Sequence, residues 1–226
     1  VFTNRKSIPI TIKNFKLNIY YIKEIFRGGL PSLFRQGCSS ISFVFLNRAA
    51  GIYGDAAIAA MTVVQRIVMF AASAMIGYGQ GFQPVCGFNY GAKKFDRVKK
   101  GVSFCVKSSL IVLIAFAVLG IIFAPQLVAQ FRDDPDVIAI GVRTLRWQCL
   151  TFPLFGWVII CNMMTQTIGY TVRASILATS RQFLFFIPCL YILSSAFGLT
   201  GIECSQSAAD IISFIVSLII GIDVLK

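Results

Sequence analysis

The sequence predicts an all-α, polytopic membrane protein whose main unit is a bundle of six transmembrane helices. Hydrophobic residues make up 57% of the 226 residues and charged residues only 13%. A soluble domain of this size carries about a quarter charged residues. The mean hydropathy is +0.77. Apolar segments close to the roughly 20 residues that cross a bilayer recur along the chain, separated by short turns.

The composition also excludes several classes of protein. The net charge is +12, but the basic residues are not interleaved with aromatic ones, so no nucleic-acid partner is predicted. The chain has no histidine, which removes histidine-based zinc sites and catalytic triads. Its seven cysteines lack CxxC spacing and are expected to be buried small side chains. We therefore expect no cofactor and no metal, and no acid–base pair indicates an enzyme.

Residues 1–28 form the first predicted part, a basic cytoplasmic linker. They hold six cations and one acid, and Phe15, Ile19, Ile22 and Phe26 recur at helical spacing. This pattern is typical of an amphipathic helix on a membrane surface, although an ordinary linker helix fits it equally well. The chain begins with Val and has no signal-peptide pattern, so we expect a fragment of a longer protein.

Residues 29–226 form the second predicted part, a six-helix transmembrane lobe in contact with membrane lipid. The predicted spans are approximately residues 29–50, 56–79, 101–124, 145–168, 175–197 and 202–225. The third is apolar nearly all round and is expected to face lipid. Pro153 and Gly156 are expected to break the fourth, and Pro188 lies inside the fifth.

The distribution of cations predicts the orientation. With the amino terminus inside, the cytoplasmic segments hold thirteen cations and the opposite side three, while most acids fall on the opposite side. Cytoplasmic loops carry an excess of lysine and arginine. The sequence therefore predicts a multi-pass protein of the cell membrane with both termini in the cytoplasm.

Polar residues inside the spans are costly in lipid and are expected to face protein or water. Several fall at steps of three or four on the first, second and fourth spans, which aligns them on one face of each helix. The substrate-pathway candidates are Gln36, Ser40, Phe43, Asn47, Gln65, Met69, Asn162 and Gln166. Such a mixture of amides, hydroxyls and aromatic rings suits a cavity for amphiphilic ligands. The alternative is that these groups only hydrogen-bond between helices.

The charged residues within the spans give the candidates for an ion pair or for ion coupling, Asp210 and Arg66. Asp210 is the only acid placed well within a span, and Arg66 lies near mid-span and should have a partner. Arg35 and Arg181 are expected to extend toward the cytoplasmic face. A structural ion pair or hydrogen bond at Asp210 is favoured over an ion-coupling site.

The segment from Gly77 to Lys100 is predicted to be the hinge of a membrane hairpin. Its glycines allow sharp turns, Pro84 is expected to forbid a continuous helix, and five cations come after them. The motif residues are Gln80, Gly81, Gln83, Pro84, Gly87, Tyr90, Gly91 and Ala92. They resemble the loop after the second helix of each half of multidrug and toxic compound extrusion (MATE) transporters.

Other segments extend this resemblance over nearly the whole chain. They include Gly29-x-Pro31 with Gln36, the Tyr53-Gly54-Asp55 turn, and Gly201 followed by Asp210. The resemblance implies the second, C-terminal half of a twelve-helix transporter, with an N-terminal six-helix lobe as its partner. It also implies export of small organic, often cationic, compounds coupled to protons or sodium. The first span lacks the acid that some sodium-coupled members carry there.

The functional interpretation is multidrug efflux by cation antiport. Because Asp210 is predicted to be the sole inward-pointing acid, the coupling carboxylate is expected in the other lobe, and this chain alone is expected not to perform coupled transport. A lipid-linked saccharide flippase is an alternative, which Arg66 and Arg35 would serve in a cationic cavity. A non-transporting membrane assembly or anchor fragment is a further alternative.

Overall fold

A computed structural model of the chain describes residues 18–225, with the exception of the side chains of Arg27 and Pro31. The described residues are helical and contain no strand. The α-helices are α1 Ile19–Gly51, α2 Asp55–Gly91, α3 Phe95–Ile122, α4 Ala124–Ala129, α5 Pro135–Thr167, α6 Thr171–Thr179, α7 Phe186–Phe197 and α8 Leu199–Leu225. A π-helical turn at Ser180–Leu184 joins α6 to α7. The predicted all-α class is confirmed.

Five segments of the described chain are long and apolar enough to cross a membrane, namely α2, α3, α5, Thr171–Phe197 and α8. The sixth predicted span, residues 29–50, is the greater part of α1. This helix has 33 residues, but it is not among the five, because polar and charged side chains such as Arg35 and Arg48 lower its hydropathy. α1 therefore belongs in the bundle by its packing against α2, α6 and α7 rather than by its composition.

α1 also crosses the predicted boundary at residue 28 without a break. Asn18 caps its first turn by accepting a hydrogen bond from the Tyr20 backbone N–H at 3.0 Å. Residues 1–17 of the predicted linker lie outside the described residues. The division into a linker and a lobe stays a prediction.

The turn between α2 and α3 lies within the predicted hinge at residues 77–100, but the prediction that Pro84 forbids a continuous helix is wrong. α2 continues to Gly91 with Pro84 inside it, and the chain turns only between α2 and Phe95, where Lys93 has a φ of 57°. A proline removes only one backbone donor, which a membrane helix tolerates when neighbouring helices support it. The loop motif is therefore the last part of a long helix.

Two glycines of this part of α2, Gly79 and the motif residue Gly87, lie close to a neighbouring helix. A Cβ at Gly79 would lie 3.0 Å from Ile159 Cγ2, and one at Gly87 would lie 3.1 Å from Thr167 Cγ2. Both neighbours belong to α5. Small residues at such positions let two membrane helices approach closely.

α5 is likewise continuous, so the predicted break at Pro153 and Gly156 is wrong. Gly156 lies against α3, where a Cβ would meet Ser109 Oγ at 2.6 Å. The helix begins about ten residues before the predicted span, because Asp134 caps it by accepting from the N–H groups of Asp136 and Val137. α5 packs against α2, α3 and α8 and is the central helix of the bundle.

The fifth predicted span is interrupted by the π-helical turn. Within it the Phe185 N–H donates to the Ser180 carbonyl at 3.0 Å, five residues back. Pro188 lacks the N–H that would otherwise bond to the Leu184 carbonyl, which favours an irregular turn immediately before it. The turn changes the direction in which Arg181 and Gln182 point.

The charges collect at opposite ends of the bundle. The acidic end, where α2, α5 and α8 begin, carries Asp55, Asp133, Asp134 and Asp136. The basic end, where α3 and α6 begin, carries Lys93, Lys94, Arg97, Lys99, Lys100 and Arg173. α3 exposes apolar side chains such as Phe104 and Ile111, as expected of a lipid-facing helix. Which end faces the cytoplasm stays a prediction.

Candidate substrate cavity and ion pairs

A cavity of about 130 Å³ lies between α1, α2, α5, α6, the π-helical turn and α8. Met69 is 60% exposed at its margin, so the cavity communicates with the surface on the side of α1 and α2. Its lining combines amide, hydroxyl, aromatic and thioether groups with two guanidinium groups. The polar members are Arg35, Gln36, Ser39, Gln65, Ser73, Gln148, Asn162, Arg181, Gln182 and Gln206.

Four predicted pathway residues line this cavity: Gln36, Gln65, Met69 and Asn162. A fifth, Phe43, lines an adjoining pocket of about 40 Å³. The two pockets share the side chains Ser39, Gln65, Gln182 and Gln206. The structure therefore brings these predicted residues together around one connected space.

Asn162 also has a structural contact. Its Nδ2 donates to the Ala174 carbonyl at 2.7 Å, and the side chain is 5% exposed. This bond joins α5 to α6 at the wall of the cavity. Asn162 therefore both lines the cavity and joins two helices, and its place in a substrate pathway stays a prediction.

Three predicted pathway residues lie outside both pockets. Ser40 is exposed and donates to the Gln36 carbonyl within its own helix. Asn47 is half-buried nearer the acidic end, and its Oδ1 atom has no hydrogen-bond partner among the described residues. Gln166 lies nearer the basic end, and its contacts connect three helices.

Gln166 donates from Nε2 to the Gly28 carbonyl at 2.8 Å and to Ser32 Oγ at 3.3 Å. Its Oε1 atom accepts from Gln83 Nε2 at 3.5 Å. These bonds link α5 to α1 and α2. They give Gln83, one of the motif residues, a contact across the bundle.

Asp210 forms a buried ion pair with Arg181 at the cavity wall. Arg181 Nε lies 2.7 Å from Asp210 Oδ1, and Nη2 lies 3.2 Å from Oδ2. The carboxylate also accepts from Gln206 Nε2 at 2.9 Å and from Thr151 Oγ1 at 3.2 Å. The Arg181 guanidinium lies 3.9 Å from the centroid of the Phe155 ring. Four donors thus satisfy one carboxylate, which is how a buried charge is stabilised.

This pair corrects two predictions. Arg181 does not extend toward the cytoplasmic face, because the π-helical turn directs it into the bundle. The sequence predicts a partner for Arg66 near mid-span, but Arg66 forms no ion pair among the described residues. It is exposed and borders a shallow surface pocket with Asp55 and Arg132 near the acidic end. Residue spacing identified Asp210 but not its partner Arg181. The π-helical turn adds a residue to one turn, so the regular helical spacing does not give the direction of Arg181.

The prediction that Asp210 is the sole inward-pointing acid is also wrong. Glu203 lies in the first turns of α8, near the acidic end, and is 1% exposed. Arg143 Nη2 lies 3.1 Å from Glu203 Oε1, without the alignment of a hydrogen bond. The signal in the sequence was the spacing: Glu203 precedes Asp210 by seven residues, which puts both on one face of a helix.

These features define a polytopic helical membrane protein with a mixed-polarity cavity and buried charged residues. The family model MatE matches residues 31–192, and the chain belongs to that family. The resemblance noted in the sequence is thereby confirmed.

Curated relatives agree with this assignment. The multidrug export protein MepA of Staphylococcus haemolyticus is 24% identical over 222 residues, which are 97% of this chain and 49% of the relative. MepA of Staphylococcus aureus (strain MSSA476) is 25% identical over 217 residues, covering 96% of this chain and 48% of the relative. The chain therefore spans about half the length of these relatives.

A solved structure shows the same fold. It is an outward-facing conformation of a multidrug resistance MATE family transporter of the MOP superfamily. The TM-score is 0.89 at 24% sequence identity, and the match covers 99% of this chain and 51% of the other. The helical arrangement is thus that of about half of a MATE transporter.

Proposed function

We propose that the chain is the C-terminal lobe of a multidrug exporter of the cell membrane, which expels small organic compounds by antiport against protons or sodium. Family membership and the two MepA relatives, both named multidrug export proteins, support export. The basic end is proposed to face the cytoplasm. The central cavity is the observation that carries the proposal.

The size of the cavity supports a second lobe. Pockets for drug-sized ligands have volumes of about 300–1,000 Å³. The cavity here has about 130 Å³ and is bordered by exposed Gln36 and Met69 on α1 and α2. A partner lobe against these two helices would enlarge and close it. Rocking of one lobe against the other would then alternate access.

The chemistry of the lining favours amphiphilic compounds. Apolar side chains such as Ile76 and Ile159 alternate around the cavity with the amides of Gln65 and Gln206. Asp210 is already neutralised by Arg181. Cationic substrates, which the family resemblance favours, would therefore depend on acids supplied by the N-terminal lobe.

Arg35 favours a second candidate function. It lines the cavity and has no ion pair among the described residues. A free guanidinium suits the pyrophosphate of a lipid-linked saccharide. Arg66, the other arginine expected to serve such a site, lies outside the cavity.

The test is substrate export by the full-length protein in drug-sensitive cells, measured per folded molecule. We expect Gln65→Leu and Gln206→Leu to change the range of exported compounds, because both side chains line both pockets. Ser40→Ala is the control, since Ser40 is exposed and lies outside both. An unchanged range in both cavity variants would contradict the proposal. Loss of lipid-linked saccharide transport in Arg35→Gln, with drug export intact, would favour the flippase.

A further inference from the structure

α8 carries two buried acids that differ in their hydrogen bonds. Asp210 is 4% exposed and Glu203 is 1% exposed. Asp210 accepts hydrogen bonds from three side chains, including a bidentate arginine. Neither oxygen of Glu203 has a hydrogen-bond partner among the described residues. A buried carboxylate without hydrogen bonds is costly in its charged form, and taking up a proton removes that cost.

Glu203 has one compensating charge. Arg143 of α5 lies 3.1 Å away, and its side chain is 58% exposed, so water weakens the attraction. The other arginines of α5, α6 and the π-helical turn either form ion pairs with other acids or are exposed to solvent. Arg181 of the π-helical turn pairs with Asp210, and Arg173 of α6 pairs with Asp223 at the basic end.

The remaining titratable groups add no positive charge to the site. α7 carries Cys189 and Tyr191, and the Tyr191 ring packs against Phe45 of α1. The basic residue of α1 closest in sequence to the acidic end, Arg48, is exposed. On α8 itself, the neighbour of Glu203 is the thiol of Cys204.

Other buried polar side chains occur on α8 and on α5, which pack against each other. Ser207 lies one turn after Glu203, and its Oγ atom is buried without a hydrogen-bond partner among the described residues. The Oε1 atom of Gln148, on α5, is also buried without a hydrogen-bond partner among the described residues. Thr151 lies about one turn further along α5 and donates a hydrogen bond to Asp210. Buried polar atoms of this kind are ordinarily satisfied by water.

We propose that Glu203 is a proton-binding site of this lobe, loaded from water at the acidic end and distinct from the Arg181–Asp210 pair. A proton from water adds to a Glu203 carboxylate oxygen and gives a neutral carboxyl group, while Arg143 keeps its charge and is solvated. Sodium is disfavoured, because it needs several oxygen ligands and the Arg143 guanidinium repels it. Any coupling of this site to export rests on the proposed function, whereas proton binding itself does not.

The test is a pH titration of the purified full-length protein, followed by the C=O stretch of protonated carboxyl groups in infrared difference spectra. We expect one band to be lost in Glu203→Gln and kept in Asp223→Asn. Asp223 is the matched control, because it is an acid on the same helix whose ion pair is exposed. In Arg143→Gln the band should form at a higher pH, since the opposing charge is gone. If the Glu203→Gln protein showed the same carboxyl band as the wild-type protein over the whole titration, the proposal would be overturned. Loss of the band on addition of sodium would also overturn it.

Transport separates this inference from the proposed function. In proteoliposomes the Glu203→Gln protein should still exchange substrate across the membrane but lose its acceleration by a pH gradient, while Asp223→Asn keeps it. An unchanged gradient response in Glu203→Gln would overturn the role of Glu203 with the exporter intact. Absence of all substrate movement in the wild-type protein, with the Glu203 band present, would instead overturn the proposed function.

Discussion

The Arg181 guanidinium binds the Asp210 carboxylate with two hydrogen bonds, of 2.7 and 3.2 Å, in the interior of the bundle. The pair ties the π-helical turn to α8, and Arg181 forms part of the cavity wall. Its side chains are 10% and 4% exposed, so neither partner can be solvated if the other is removed. This distinguishes it from the pair between Arg143 and Glu203, where the arginine is half in water.

The first prediction compares these two pairs. Asp210→Asn leaves a buried guanidinium without a counter-charge, and breaking a buried pair in this way costs about 3–5 kcal/mol of unfolding free energy. Glu203→Gln leaves an arginine that water can solvate, so its effect should stay within about 1 kcal/mol. Thermal unfolding in detergent measures both. Equal losses of stability in the two variants would contradict the difference in their surroundings.

The second prediction concerns the contact between α7 and α8. A Cβ at Gly201 would overlap the Leu193 carbonyl oxygen, and a backbone cannot move aside as a flexible side chain can. Gly201→Ala should therefore destabilise the protein by at least about 1–3 kcal/mol, the usual cost of overpacking.

Gly37→Ala is the matched control for Gly201→Ala. Gly37 is also helical, and a Cβ there would meet nothing within 4 Å. Alanine in a helix interior is favoured over glycine by about 0.5–1 kcal/mol. The same unfolding assay should show stabilisation at position 37. Loss of stability at position 37 equal to that at position 201 would show that the close approach is not the cause.

The third prediction tests the contact that holds the π-helical turn against α1. Ser42 is 4% exposed, and its Oγ donates to the Gln182 carbonyl. Ser42→Ala should cost about 0.5–1.5 kcal/mol, the net value of one hydrogen bond. Ser40→Ala should cost less, because Ser40 is exposed and bonds within its own helix. A smaller effect at position 42 than at position 40 would sink this account of the turn.

The fourth prediction concerns orientation. A thiol reagent that does not cross membranes should label Asp134→Cys from outside the cell and should not label Lys94→Cys. Asp134 lies at the acidic end and Lys94 at the basic end. The native cysteines are replaced first, since Cys38, Cys189 and Cys204 are partly exposed. If Lys94→Cys were labelled from outside and Asp134→Cys were not, the orientation would be the opposite of the predicted one.

Hydropathy and residue spacing predicted the helical bundle and its approximate spans, because apolar segments of bilayer length leave little alternative to helices. Spacing also grouped Gln36, Gln65 and Asn162, which meet at the cavity. It failed at Pro84 and Pro153, where local rules for proline and glycine predict a break. Packing against neighbouring helices keeps both helices continuous instead.

The partners of the charged residues could not be predicted from the sequence. Spacing places Glu203 and Asp210 on one face of a helix, but the helices that this face meets depend on the three-dimensional packing. The π-helical turn at Arg181 leaves no periodic signal, since it adds one residue to a single turn. The buried state of Glu203 follows only from the position of α5 beside α8.

The most direct test of the central claim, that this chain is one lobe of a coupled exporter, is gradient-driven substrate uptake in proteoliposomes. The full-length protein and the 226-residue chain are reconstituted separately at equal amounts of folded protein. The full-length protein should accumulate substrate when a proton or sodium gradient is imposed. The isolated chain should not, because its cavity is small and open on the side of α1 and α2. Gradient-driven uptake by the isolated chain, or its absence from the full-length protein, would contradict the claim.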